Sequence, residues 1–383
     1  MTFTQELELL RGKEIGLRTP IDEIPCKETS DVSRLCRNPV VSVLMVAYNH
    51  EQCISQAIES ALEQETDFEY EIVIGEDCSK DRTRDICFEY QRRYPEKIRV
   101  LWSDENVFRM CGNGPRVCYR CRGEFLAILE GDDCWIDCRK LQKQVEILRA
   151  HPSAGICFGG GIIHSVELGE NFKWDGFLFK SGLMKGDVFL NQILFESWRV
   201  KRGLTVLTPT VMLRKSALEA ARKQYDIFTW NLITLDTLCW AGTAAVSDAY
   251  YLEDEIGQYN ITPGSASFNP EFNLDGDSLA VKVYFAREAL GRTWRQLPFQ
   301  FRYRFALGLI KRFSGLPSSV QKNDYCDLMC NSEIHKLYFK PSFAIIFISL
   351  RFGILRGGWA KFLLRVNGYC AKLRMIWSNF GCD

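Results

Sequence analysis

The sequence predicts an α/β fold: a mostly parallel sheet flanked by helices, followed by a mainly helical C-terminal extension. Three observations predict it. Strand-like and helix-like segments alternate from Val40 to Ser165. The strand-like runs are continuously apolar and β-branched, as expected of strands buried on both faces. After about Phe268 the alternation stops, and aromatic and basic residues mix in helix-like stretches. Right-handed crossovers turn such an alternation into a parallel sheet with helices on both faces.

Residues 1–38 are polar and without a clear period, and read as an N-terminal extension. The α/β domain is expected over 39–267 and the helical, basic region over 268–383. VVSVLMVAY, from Val40 to Tyr48, is the first strand. HEQCISQAIESALEQ follows as a helix, with Ile54, Ala57, Ile58, Ala61 and Leu62 at helical spacing. YEIVIGED is the second strand, and DRTRDICFEYQRRYPEK a helix stopped by Pro95. IRVLWSD is the third strand. PRVCYRCRG reads as a short helix leading into EFLAILEGDD, the fourth strand. LQKQVEILRAHP is a helix with Leu141, Val145 and Leu148 on one face, and AGICFGGGIIHS a further strand.

Composition narrows the function. Apolar residues make up 46% and charged residues 25%, which is globular rather than disordered. The net charge is zero, so nothing global points to nucleic acid. From Ile334 onward, however, eight Lys/Arg face the single acid Asp383, which suggests an anionic partner for the tail. The N-terminal MTFTQELELLRGKE lacks an apolar h-region, so the sixteen cysteines are expected as reduced cytosolic thiols. Cys118 and Cys121 have C-x-x-C spacing, with Cys134 and Cys138 nearby, but these pairs flank a strand that a zinc clip would distort. The longest apolar candidate, FAIIFISL, falls well short of the ~20 residues that span a bilayer.

In a parallel α/β sheet, ligands bind beyond the carboxyl ends of the strands. Polar residues fall at those ends: Tyr48-Asn49, Glu76-Asp77, Ser103-Asp104, and Glu130 with Asp132 and Asp133. One such cluster alone reads as a solvated loop; four at corresponding ends form an acidic edge. Carboxylates so crowded repel unless protonated or joined by a cation. Oxygen donors favour a hard ion, Mg²⁺ or Mn²⁺, which completes its shell with phosphate oxygens and water. The edge therefore predicts a metal-bound diphosphate. No Gly-rich phosphate loop follows the first strand, so basic side chains must assist, with Arg116 a candidate.

SVLMVAYNHEQCISQAIESALEQ, EIVIGEDCSKDRT and RGEFLAILEGDDCWIDCRKLQKQ, in this order and spacing, resemble the nucleotide-sugar-binding half of bacterial family-2 glycosyltransferases, which share the GT-A fold. The resemblance covers about Pro39 to Gly264. It implies that Ala47, Tyr48 and Asn49 line the nucleotide pocket and that Asp77 hydrogen-bonds the base. It also implies that Glu130, Asp132 and Asp133 contact ribose and metal, with Asp132 and Asp133 the metal-side pair. The family's later catalytic carboxylate falls at Asp236, with Asp226 in reserve and Tyr259 following at the family's spacing. Three departures mark this chain: Asn260 stands in place of Arg, Cys138 in place of Pro, and Cys134 in place of an aromatic residue.

The implied reaction is inverting transfer from a nucleoside-diphosphate sugar, a UDP-sugar foremost, to a saccharide or lipid-linked saccharide hydroxyl. It would belong to bacterial surface polysaccharide or glycolipid synthesis. A glycoside hydrolase also pairs carboxylates but leaves the strand-end cluster unexplained. A non-catalytic sugar-nucleotide binder is the other alternative. The basic tail reads either as a packed helical subdomain or as a helix on an anionic membrane surface, the protein otherwise being cytoplasmic.

Overall fold

The computed structural model describes residues 20–107, 112–174, 179–196, 206–225, 227, 235–262, 281–282, 284–292 and 296. The chain divides into two compact units, one spanning Ile15–Phe285 and the other Met1–Glu14 with Ala286–Asp383. In the second unit only residues 286–292 and 296 are described, the end of a helical stretch and a turn. The basic tail, and with it the expectation of a membrane-facing helix, lies outside the described residues.

The described strands of the first unit form one sheet. They are β1 (Lys27–Thr29), β2 (Val41–Ala47), β3 (Tyr70–Glu76), β4 (Ile98–Trp102), β5 (Phe125–Glu130), β6 (Cys134–Trp135), β7 (Ala154–Ser165), β8 (Glu170–Trp174), β9 (Gly182–Met184), β10 (Met212–Arg214) and β11 (Asp248–Ile261). The helices are α1 (Ile54–Leu62), α2 (Thr83–Arg93), α3 (Asn113–Arg120), α4 (Lys140–Ala150), α5 (Gly186–Phe195), α6 (Lys215–Tyr225) and α7 (Leu235–Val246). The main strand order is β1-β4-β3-β2-β5-β10-β7-β11-β6, with β8 pairing β7 and β9 pairing β11.

The first half matches the sequence reading. β4, β3, β2 and β5 are mutually parallel. All seven residues of β3 are buried, and six of seven in β2, as continuous apolar runs require. Ile54, Ala57, Ile58 and Ala61 of α1 are buried against this sheet, as are Leu141, Val145 and Leu148 of α4. α2 ends at Arg93, two residues before Pro95. Order β4-β3-β2-β5 means that the chain steps outward twice from β2, then returns to its other side. β2 and β5 therefore flank the switch point, where helices leave in opposite directions and a crevice opens at the strand ends.

Beyond β5 the sheet is mixed rather than parallel. The three-residue β10 inserts antiparallel between β5 and β7, and β11 runs parallel to β7 but antiparallel to β6 and β9. A strand this short carries no period, so its partners alone define it. The N-terminal region also joins the sheet: β1 pairs antiparallel with β4. Glu28 of β1 accepts two hydrogen bonds from Arg99, which also reaches the fully buried Glu71. This ion-paired edge closes the sheet at the end remote from the crevice.

Candidate functional site

The loops after β2 and β3 are knitted together at the crevice. Asn49, at φ 56°, donates its backbone N–H to Ser79 Oγ (3.0 Å) and accepts Lys80 N–H on Oδ1 (2.8 Å). The backbone N–H of His50 reaches Thr83 Oγ1 (2.7 Å), and that of Glu51 reaches Asp81 (3.0 Å). The left-handed turn at Asn49 is one that Asn adopts more readily than most residues. Ala47 is buried at the strand end, and Tyr48 is 40% exposed, presenting a ring to the solvent. Asp77 donates its N–H to Ala47 O (3.0 Å) and accepts Val107 N–H on Oδ1 (2.8 Å), so it is buried between the ends of β2 and β4.

Arg116 requires a correction. Expected as a phosphate ligand, it is instead 2% exposed, on α3. Its guanidinium donates to Asn113 Oδ1 (2.7 Å), the Glu76 carbonyl (2.9 Å), Ser103 Oγ (3.2 Å) and the Pro25 carbonyl (3.3 Å). Among the described residues the fork holds these four protein oxygens, and it braces the ends of β3 and β4 rather than facing solvent.

The acidic segment begins where β5 ends. Gly131 donates its N–H to Val46 O (2.8 Å), so the chain turns tightly against β2. A Cβ on Gly131 would lie 2.8 Å from His50 Nδ1 and from Ile54 Cδ1, and 3.1 Å from Val46 O. Only glycine fits this approach without displacement. His50 is thereby packed beside the acids: its Nε2 lies 4.0 Å from Asp132 Oδ2, and its Nδ1 is buried with no hydrogen-bond partner among the described residues.

Glu130, Asp132 and Asp133 each offer an oxygen within 4.8 Å of the others, the one such group of metal-competent side chains among the described residues. Asp133 is buried; its Oδ1 accepts the Asn260 backbone N–H (2.7 Å), while Oδ2 has no hydrogen-bond partner among the described residues. Asp132 keeps 16% of its side chain exposed. Asp236 lies in the first turn of α7, inside the helix rather than capping it, and its Oδ1 accepts the Thr237 N–H (2.6 Å). The reserve candidate, Asp226, lies outside the described residues.

The electrostatics follow from this crowding. Burial pushes the Glu130 carboxyl up to about 8, with the charges of Asp132 and Asp236 adding to it. Asp133 is raised well above the usual carboxylate range by burial foremost, then by Asp132 and Glu130, with the Asn260 N–H acting the other way. Asp236 is solvent-accessible, yet the protein packed around it desolvates its carboxyl and raises it too. Two independent features fit a hard divalent cation here: an orphaned, buried carboxylate oxygen, and mutual repulsion that a cation would relieve. The contribution of Asp236 to Glu130 puts the first turn of α7 within electrostatic reach of the three carboxylates.

Sequence reasoning did not find His50 or Gly131. The glycine between Glu130 and Asp132 was the available signal, since a residue without Cβ amid charged neighbours marks close backbone approach. Cys134 and Cys138, noted as departures, are respectively buried in β6 and exposed beside α4.

Comparison with known proteins bears on the same region. Residues 42–193 match the model of glycosyl transferase family 2. An uncharacterized protein of Mycobacterium tuberculosis strain H37Rv is 39% identical over 118 residues, 31% of this chain and 34% of that protein. The chain thus aligns with about a third of the length of that curated relative. The putative teichuronic acid biosynthesis glycosyltransferase TuaG of Bacillus subtilis is 28% identical over 232 residues, 60% of this chain and 82% of that one. Among solved structures, S. aureus TarS 1-349 aligns with a TM-score of 0.48 at 18% identity, covering 81% of this chain and 79% of that one.

Proposed function

From the membership of residues 42–193 in glycosyl transferase family 2, we propose that this chain moves a sugar from a nucleoside-diphosphate sugar to a hydroxyl acceptor with inversion. A UDP-sugar is the first choice of donor, and a saccharide or lipid-linked saccharide the acceptor. The likeness to TuaG, named for teichuronic acid synthesis, supports a role in building a bacterial surface polysaccharide or glycolipid. The observation that carries the reading is the cluster of Glu130, Asp132 and Asp133 at the switch point, within electrostatic reach of Asp236.

Each residue has a part. Ala47, the exposed Tyr48 and Asn49 would line the nucleotide pocket, and Asp77 would hydrogen-bond the base. Glu130 and Asp132 face the ribose and diphosphate. Asp132 and Asp133 would hold Mg²⁺ or Mn²⁺, which when bound offsets the charge growing on the departing nucleoside diphosphate. The acceptor oxygen attacks the anomeric carbon opposite the diphosphate; that bond forms as the anomeric carbon–phosphate oxygen bond breaks, and the hydroxyl proton passes to Asp236. Desolvation makes the ionised Asp236 a stronger base, and general-base catalysis contributes about 10²–10⁴-fold. No second protein nucleophile is needed, which accords with inversion.

Asp236→Asn tests this. Transfer or donor hydrolysis in the presence of Mn²⁺ should fall by about 10²-fold or more, with UDP affinity within a few-fold of the unaltered protein. Retention of most of the turnover would remove Asp236 from the role. UDP binding by the unaltered protein with no turnover on any nucleotide sugar would favour a non-catalytic binder.

A further inference from the structure

β6 is only two residues long, and its neighbour β11 explains why this matters. The two pair antiparallel, with Gly257 opposite Trp135 and Gln258 opposite Cys134. Continuing that register two places sets Asn260 opposite Asp132, where the acidic segment has already turned away and ordinary ladder bonds stop. Side-chain groups replace them. The Asn260 backbone N–H donates to Asp133 Oδ1 (2.7 Å), and its Nδ2 donates to the Asp132 carbonyl (2.6 Å). Its Oδ1 accepts Gln258 Nε2 (2.8 Å), which stands two residues along on the same face and fixes which way the amide points.

We propose that Asn260, oriented by Gln258, is a positioning residue that aims Asp132 and Asp133 at the metal–diphosphate. The inference rests on the function proposed above. Its anchor is rigid: β11 is paired through Asn260 and Ile261 to His164 and Ser165 of β7, and Asn260 is 7% exposed. Its side chain thereby fixes the backbone of one candidate ligand, while its main-chain N–H, which any substitution but proline keeps, fixes the rotamer of the next. Asn also adds no charge to a cluster already crowded with anions. Asp at this position would turn a donor into an acceptor facing the Asp132 carbonyl, and would add a carboxylate. Ala would leave that carbonyl without its partner.

The test is Mn²⁺ binding in the presence of UDP, read from the free Mn²⁺ electron paramagnetic resonance signal, alongside UDP affinity in EDTA and the melting temperature. Substituting a group that orients metal ligands typically costs ~10–100-fold in metal affinity. Asn260→Ala and Asn260→Asp remove the bond to the Asp132 carbonyl but keep the main-chain bond to Asp133, and should weaken Mn²⁺ by about 10-fold, the low end of that range, with UDP affinity in EDTA unchanged. Gln258→Met, which leaves Asn260 present but unoriented and is expected to fold in any case, should weaken Mn²⁺ a few-fold. A lowered melting temperature with unchanged Mn²⁺ affinity in these variants would overturn the inference and leave Asn260 a structural residue. If the unaltered protein itself binds no Mn²⁺ with UDP, the proposed function fails, and the inference fails with it.

Discussion

Gly131→Ala gives a direct reading of how tightly the acidic segment is built. The added methyl group would sit 2.8 Å from His50 Nδ1 and Ile54 Cδ1 and 3.1 Å from Val46 O. Ile54 is fully buried at the start of α1 and Val46 O belongs to the central strand, so neither yields freely. The imidazole of His50 is the softest neighbour, and moving it changes what faces Asp132. Overpacking of this kind costs about 1–3 kcal/mol, which in a unit of this size lowers the melting temperature by roughly 2–4 °C per kcal/mol. Gly114→Ala is the matched control. A Cβ there meets nothing within 4 Å among the described residues, and Gly114 lies inside α3. Replacing a helical glycine gains about 0.5–1 kcal/mol. The same chemical change should therefore lower the melting temperature at residue 131 and raise it slightly at 114, by differential scanning calorimetry. Gly131→Ala should also weaken Mn²⁺-dependent UDP binding, whereas Gly114→Ala should not. Equal shifts at both positions, or Gly131→Ala with full stability and full binding, would refute the packing argument.

Two further outcomes follow from groups already described. Glu130 has a folded pKa of about 8 against an ordinary 4.5, so the folded state holds a proton that the unfolded state releases. Stability it contributes is present below 4.5 and is lost as pH rises through 8; Glu130→Gln in EDTA should gain on the unaltered protein across that window. At about 1.4 kcal/mol per pKa unit the gain is on the order of a few kcal/mol, and a pH-independent difference in denaturant midpoint would contradict it. Arg116→Ala strips buried oxygens of their donors and should cost about 2–5 kcal/mol in urea titration. Its UDP affinity at low temperature should stay within a few-fold, because the guanidinium is buried and hydrogen-bonded to protein oxygens; a selective loss of UDP binding at unchanged stability would restore it as a phosphate ligand.

Much of the architecture was legible in the chain because it is local. The apolar runs of β2, β3 and β5, and the faces of α1 and α4, follow from residues within one or two turns of each other. Because crossovers are right-handed, these segments fix where the strand ends meet, and so they bring Asn49, Asp77 and Glu130 to one edge. Arg116 was misread for the complementary reason. A cation near an acidic edge looks the same in sequence whether it faces solvent or, as here, is spent on Asn113, Ser103 and two carbonyls.

By itself, then, the sequence determined which side chains could carry charge at the crevice, since periodicity and strand ends are written within short segments. Tertiary structure decided how that charge is held. β10 slots between β5 and β7, β11 brings Asn260 to Asp132 and Asp133 across more than a hundred residues, and α7 brings Asp236. Such contacts depend on which distant backbone a donor meets, and no local pattern of residues encodes that.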